Sequence, residues 1–256
     1  TAASTITGGS GADTLTGGTK ADTMSGNAGA DSITGAAGAD VIDCGAGADT
    51  IDGGAGVDNL TGGAGADVFR VTTVGDFIGL SAAESVIGGE GNDNLDIEEN
   101  TTITVAATDL LGLSSVDRIT VDGTANAGSV TLTDAVYTAN GLDTLRVIDG
   151  DLTQGTLTVD GSALTGTNAI HVTANSSTGV NDTLTGGAGA DTFVFATATG
   201  LEATDTVVGG AGTDTISLTA SAAVTAVMTG VRTVENVVTT GNGGDVNVTV
   251  GADGVI

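Results

Sequence analysis

The 256-residue sequence predicts an all-β protein built from many short strands joined by glycine-rich turns. Three observations support this prediction. A nine-residue repeat occupies residues 8–70, Thr/Val/Ile-rich runs continue through residues 97–180, and no segment longer than Leu110–Val116 has a convincing helical periodicity. A fixed short period is typical of repeat architectures, in which each unit buries its apolar residue against the next unit.

The nine-residue repeat begins at Gly8 and runs seven times without a gap. The sixth position is aspartate in every copy: Asp13, Asp22, Asp31, Asp40, Asp49, Asp58 and Asp67. The eighth position is a large apolar residue in every copy: Leu15, Met24, Ile33, Ile42, Ile51, Leu60 and Phe69. A flexible glycine-rich linker would need neither register, so the pattern argues against disorder.

The residue types at each position have physical reasons. Glycines permit a positive φ and allow backbone carbonyl groups to converge closely. The aspartate adds hard carboxylate oxygens, which are the ligand type that Ca²⁺ prefers. The last three positions form a short strand with one side chain pointing inward and two pointing outward.

The same register returns downstream in complete or degenerate copies at 79–87, 88–96, 177–185, 186–194, 200–208 and 209–217. The acidic residues at the sixth position of these copies are Glu84, Asp93, Asp182, Asp191, Asp205 and Asp214. A longer duplication aligns residues 62–123 with residues 186–241, and both copies end in related phrases that begin Val116-Asp117 and Val234-Glu235.

We therefore divide the chain into four segments. Residues 1–72 form a tandem-repeat roll, and residues 73–123 form a degenerate repeat followed by further strands. Residues 124–180 are a Thr/Val-rich segment of less regular β-solenoid, and residues 181–256 repeat the organisation of 62–123.

The charge balance excludes several function classes. The chain has 5 Lys plus Arg and 32 Asp plus Glu, for a net charge of -27. So few cations argue against nucleic-acid binding and against attraction to an anionic membrane surface. The sequence contains no apolar run of about 18 residues, so we expect no direct membrane insertion. Because self-repulsion opposes compaction, folding requires a cation that neutralises the carboxylates.

The repeat resembles the RTX (repeats-in-toxin) nonapeptide, G-G-x-G-x-D-x-U-x, in which U is a large apolar residue. The departures are Lys20 at the fourth position, Asn27 and Ala36 at the second, and Cys44 at the first. The resemblance implies a parallel β-roll in which two nonapeptides make one turn. Repeats i and i+2 would then stack on the same edge and hold one Ca²⁺ between them, with the thirteen acidic residues named above as metal ligands.

The same alternation predicts two apolar rows on opposite faces of one thin core. The first row comprises Leu15, Ile33, Ile51 and Phe69, and the second comprises Met24, Ile42 and Leu60.

Sparse nonapeptides among Thr/Ala/Val-rich strands, with phrases such as Gly141-Leu142-Asp143-Thr144-Leu145, are similar to the RTX-type surface-layer proteins of alphaproteobacteria. This resemblance implies secretion by a type I system without an N-terminal signal. It also implies folding by external calcium and assembly with copies of the same chain on the cell surface.

Signals for catalysis are missing, so we expect no enzymatic activity. His171 is the only histidine, which excludes an HExxH zinc site, and neither a G-x-S-x-G elbow nor a phosphate loop is present. Cys44 is interpreted as a tolerated small substitution in a turn. Two alternatives to a surface-layer segment stay open: an adhesin stalk, and the calcium-binding module of a larger secreted enzyme.

One candidate site is expected to be weaker than its neighbours. Lys20 replaces a glycine in the turn before Asp22, and Ala36 replaces a glycine in the turn before Asp40. If both positions need a positive φ, each substitution costs about 1–2 kcal/mol. The Asp22/Asp40 pair would then bind calcium least tightly.

Overall fold

The structure is a computed structural model. It describes residues 2–72, 85–98, 102–122, 127–150, 155–174, 180–195, 200–202, 204–219, 224–228, 230–240 and 246–250, with only the backbone for 224–228 and 246–250. The chain forms two compact units. The first comprises Thr1–Glu99, Ala107–Thr120 and Thr138–Leu142, and the second comprises Asn100–Ala106, Val121–Tyr137 and Asp143–Ile256.

Strands of the first unit alternate between two sheets. One sheet has the order β1 (Thr5–Thr7), β3 (Thr23–Ala28), β5 (Val41–Ala46), β7 (Asn59–Ala64), β9 (Ser85–Glu90) and β12 (Leu113–Ser114). The other has the order β2 (Thr14–Thr16), β4 (Ser32–Thr34), β6 (Thr50–Asp52), β8 (Val68–Val71), β10 (Asn94–Glu98) and β13 (Arg118–Asp122). Pairing is parallel throughout, as a solenoid with two strands per turn requires.

The two predicted apolar rows are confirmed by the register. Leu15 pairs with Ile33, Ile33 with Ile51, Ile51 with Phe69 and Phe69 with Leu95. On the other sheet, Met24 pairs with Ile42, Ile42 with Leu60 and Leu60 with Val86. Apart from the half-buried Leu15, these side chains are at most 6% exposed, so the rows form the core.

The second unit is also built from parallel sheets, and its strands range from two to eight residues. One sheet has the order β11 (Ile103–Val105), β14 (Ala127–Thr133), β16 (Thr156–Ala163), β18 (Thr183–Thr185), β20 (Thr206–Val208) and β23 (Val231–Arg232). The other has the order β15 (Thr144–Asp149), β17 (Ala169–Ala174), β19 (Thr192–Phe195), β21 (Thr215–Thr219) and β24 (Asn236–Thr240). β22 (Val224–Met228) pairs separately with β25 (Val246–Val250).

Apolar rows again cross these strands in register. In one sheet Val147, Val172, Phe193, Ile216 and Val237 are successive partners. The prediction of a β-solenoid that extends beyond the nonapeptides is therefore confirmed. Inward residues are held by burial, which contributes about 1.5–3 kcal/mol for each large aliphatic side chain.

Two short helical elements were not predicted. A 3-10 helix spans Ala107–Leu110, and one α-helix in the described residues, α1, spans Asp134–Asn140. Val136 and Tyr137 anchor α1 in the core, and the Tyr137 hydroxyl donates a 2.6 Å hydrogen bond to the Ala169 carbonyl. Seven residues with two apolar anchors give too little periodicity to indicate a helix from sequence. No helix in the described part of the chain is long and apolar enough to cross a membrane.

Candidate metal sites at the stacked turns

The aspartates at position six form hydrogen-bonded ladders inside the solenoid. The backbone N–H of Asp13 donates to Oδ1 of Asp31 at 2.8 Å, and the N–H of Asp31 donates to Oδ1 of Asp49 at 2.7 Å. Each step covers 18 residues, which is two nonapeptides. The other edge repeats the arrangement with Asp22, Asp40 and Asp58, at 2.7 and 2.8 Å.

The first ladder continues past the tandem repeats. Asp49 donates to Asp67 and Asp67 donates to Asp93, both at 2.9 Å, although the second step covers 26 residues. The second unit contains two shorter ladders, in which Asp182 donates to Asp205 at 2.9 Å and Asp191 donates to Asp214 at 2.8 Å. The structure therefore places every predicted acidic residue in a ladder except Glu84, which lies outside the described residues.

The second carboxylate oxygen, Oδ2, distinguishes two kinds of turn. In the turns of Asp13, Asp22 and Asp191, Oδ2 accepts the N–H of the second residue of the same turn, at 2.5, 2.6 and 2.7 Å. We call these leading turns, because no nonapeptide turn is stacked before them on their edge. Their second and fourth residues have no positive φ.

Following turns, which are stacked on an earlier nonapeptide turn, have a different backbone. Their second and fourth residues have positive φ, as at Gly63 (114°) and Gly65 (140°). The turn of Asp205 is an exception, because Leu201 has no positive φ and Oδ2 accepts the N–H of Glu202 at 2.6 Å. The buried Oδ2 atoms that have no hydrogen-bond donor in these turns belong to Asp31, Asp40, Asp49, Asp67, Asp93 and Asp214. An unsatisfied carboxylate oxygen is expensive to bury, so the following turns that contain one require a cation there.

Main-chain carbonyl oxygens lie close to the same Oδ2 atoms. A Cβ on Gly35 would lie 2.5 Å from Oδ2 of Asp40 and 2.5 Å from the carbonyl oxygen of Gly53 in the next turn on that edge. A Cβ on Gly8 would lie 2.6 Å from Oδ2 of Asp13 and 2.8 Å from the Gly26 carbonyl oxygen. A Cβ on Gly65 would overlap the Gly47 carbonyl oxygen, which points forward from the preceding turn.

These carboxylate and carbonyl oxygens suit calcium as ligands. Ca²⁺ accepts six to eight oxygens, including carboxylates and backbone carbonyls, whereas Zn²⁺ favours nitrogen and sulfur. No group of three or more His, Cys, Asp or Glu side chains in the described residues could hold a metal. An ion between two turns would therefore be held by the two aspartates and by carbonyl groups of positions one, two and four.

Burial changes the acidity of the ladder carboxylates. Loss of solvent, reinforced by neighbouring carboxylates, raises the pKa of Asp67 and of Asp214 to about 6. Burial also raises the pKa values of Asp40, Asp49, Asp93, Asp191 and Asp205. By contrast, N–H donors from Gly18 and Ser4 lower the pKa of Asp22.

The substitutions within the repeats have separate explanations. Lys20 is exposed and does not have a positive φ, so the conformational penalty that we expected there is wrong. Ala36 has a φ of 80° in a following turn, so its penalty is present, and Asn27 has a φ of 74°. Cys44 is fully buried, and burial beside Asp49 raises the pKa of its thiol, which keeps it neutral and makes it a poor metal ligand.

Three ladder residues were not predicted as site residues. Asp117 accepts the N–H of Asp93, Glu235 accepts the N–H of Asp214, and Asn140 accepts the N–H of Val116. The sequence signal for the first two is the acidic residue that precedes a strand in the duplicated phrases. For Asn140 we find no signal, because it lies at the end of α1.

Stacked glycine turns over buried carboxylates, on parallel strands with two per turn, define a calcium-binding β-roll. A family model of the RTX calcium-binding nonapeptide repeat matches residues 7–42, 38–69, 78–96, 178–195 and 197–220. These segments of the chain are RTX calcium-binding nonapeptide repeats, which imply calcium binding in a secreted protein. The comparisons found no matching curated protein and no matching solved structure.

Proposed function

We propose that this chain is a non-catalytic structural segment of a bacterial extracellular surface layer, exported by a type I system and folded by external calcium. The observation that carries the proposal is the row of buried Oδ2 atoms without donors in the following turns. A fold with such an interior, at a net charge of -27, is favoured only when cations occupy the turns.

Calcium-driven folding follows from this interior. Without the ion, buried carboxylates would face one another across neighbouring turns. The free energy of calcium binding therefore contributes directly to the free energy of folding. Extracellular calcium modules have dissociation constants of about 10⁻⁴–10⁻³ M, so the chain would fold outside the cell rather than in a calcium-poor cytosol. Circular dichroism in EGTA and in millimolar calcium tests this step. Equal β content in the two conditions would contradict it.

The proposed structural role rests on the strands that lie outside the nonapeptide repeats. Strands β11 and β14–β17 belong to the parallel sheets of the second unit, and their inward rows contain Val, Leu and Ile. Under this proposal, the outward faces of such strands make the lateral contacts between copies.

Electron microscopy of the purified protein with and without calcium tests the assembly. Ordered sheets that form with calcium and dissolve in EGTA would support a surface layer. Isolated rods at every protein concentration would instead favour an adhesin stalk.

A further inference from the structure

The outward face of β15, β17, β19, β21 and β24 in the second unit carries no acidic residue. We call it the acid-free face. Its exposed and half-buried residues are Thr144, Arg146, Ile148, His171, Thr173, Thr192, Val194, Thr215, Ser217, Thr219, Asn236, Val238 and Thr240.

The other described sheet faces differ in charge. In the first unit, Asp43 faces outward on β5, and Asp52 faces outward on β6. In the second unit, Asp160 faces outward on β16. An acid-free surface is therefore unusual in a chain with 32 Asp and Glu.

The charges on this face can be assigned individually. Arg146 and His171 are register partners on β15 and β17. Burial and the nearby Arg146 guanidinium lower the pKa of His171, so its ring is neutral near pH 7. The acid-free face thus carries about one positive charge, from Arg146, together with hydroxyls and the methyl groups of Val194 and Val238, the latter 45% exposed.

We propose that the acid-free face is the surface through which two copies of this chain bind each other, face to face; this inference rests on the proposed self-assembly. Between two chains of net charge -27, close contact is least unfavourable where neither surface carries a carboxylate. When β15 of one copy lies over β24 of the other, each Arg146 faces Asn236 or Thr240 rather than the second Arg146.

The size of the face predicts a weak contact. Five strands about 4.8 Å apart and about 15 Å long give on the order of 350 Å² per copy. The total of roughly 700 Å² is below the 1,200 Å² or so typical of stable complexes. Such a contact would be transient in a pair and would become durable only when each molecule makes several contacts in a lattice.

The test uses two position-matched variants. Thr215 and Thr50 both occupy position seven of a nonapeptide, both follow the ladder aspartate, and both are half-buried and outward-facing. Thr215→Asp places a carboxylate in the acid-free face, whereas Thr50→Asp adds the same charge to β6, which already carries Asp52. Circular dichroism and calcium titration verify that each variant folds.

Self-association in calcium is then measured by sedimentation velocity and light scattering across protein concentrations. We expect Thr215→Asp to reduce the association constant about tenfold or more, because like charges are opposed across the contact, and Thr50→Asp to leave it unchanged. Association of Thr215→Asp at the wild-type level, or equal losses in both variants, would overturn the proposal. If the wild-type chain does not associate at all, the proposed self-assembly fails together with the face.

Cross-linking provides a measurement that does not depend on the folding of Thr215→Asp. Ser217→Cys places a thiol on the acid-free face, and Ser32→Cys places one on β4 of the first unit, while the native Cys44 is buried. With β15 of one copy over β24 of the other, β21 lies over β17, so a bis-maleimide that spans at least about 10 Å should link Ser217→Cys pairs in calcium and not in EGTA. Equal linking through the Ser32→Cys variant would overturn the assignment of the face.

Discussion

The direction of a side chain determines its role in each strand of the roll. Ile42 on β5 is 1% exposed and packs in the apolar row, whereas the adjacent Val41 is 47% exposed. Both are β-branched aliphatic residues in the same strand, so a comparison between them isolates burial from strand propensity.

We expect Ile42→Ala to lower the free energy of unfolding in calcium by about 2–5 kcal/mol, the usual loss for truncating a core aliphatic residue. Val41→Ala should change it by no more than about 0.5 kcal/mol. Chemical denaturation at a fixed calcium concentration measures both. Comparable losses would mean that the strand register is wrong.

Backbone conformation at single residues distinguishes the two substituted glycine positions. Ala36 is held at a φ of 80°, whereas Lys20 has no positive φ. We expect Ala36→Gly to stabilise the calcium-bound chain by about 1 kcal/mol and Lys20→Gly to leave its stability unchanged. Thermal melting at limiting calcium measures the difference. A larger gain from Lys20→Gly would restore the view that Lys20 weakens the Asp22/Asp40 pair through its charge.

At the scale of the element, the ladder couples each turn to its neighbour. Asp67 accepts the N–H of Asp49 and donates its own N–H to Asp93, so its carboxylate is fixed between two turns. The pKa of Asp67 is raised from 3.8 to about 6 in the folded chain. A raised pKa means that protonation favours the folded state, and this stabilisation is lost as the pH rises from 3.8 through 6.

In calcium-free buffer we therefore expect more β content at pH 4 than at pH 7, with the loss centred between the two pKa values. Asp67→Asn, which removes the buried charge, should raise the metal-free β content at pH 7 and weaken the response to calcium. Asp43→Asn removes an outward charge and serves as the control. Circular dichroism from pH 4 to pH 7 measures these effects, and β content that increases with pH would contradict them.

The elements also show where sequence reasoning succeeds and where it does not. The apolar rows and the 18-residue steps follow directly from the nine-residue period. Asp117 and Glu235 enter the ladders through strand register, without the glycines that identify a nonapeptide turn. The difference between leading and following turns depends on what is stacked before a turn. Gly9 and Gly63 occupy the same motif position and differ only in structure.

At the scale of the whole molecule, the net charge of -27 makes copies of the chain repel one another and so limits their association. Sodium chloride at 0.15 M screens charges over about 8 Å but cannot replace ligands inside a turn. We expect millimolar calcium to drive assembly in low salt, and 150 mM NaCl in EGTA to produce none. Light scattering measures both conditions. Assembly by salt alone would show that screening is sufficient and would remove the proposed role of calcium.

The ladder hydrogen bonds give the solenoid a polarity. In the turns of Asp13, Asp22 and Asp191, Oδ2 is satisfied within the turn, but Oδ1 of Asp22 accepts the N–H of Ser4 and Oδ1 of Asp191 accepts the N–H of Ile170. In a following turn, too, Oδ1 receives an N–H from the segment that precedes it on the same edge. Every ladder bond thus runs from an earlier N–H to a later carboxylate, so growth of the roll is templated from lower to higher residue numbers.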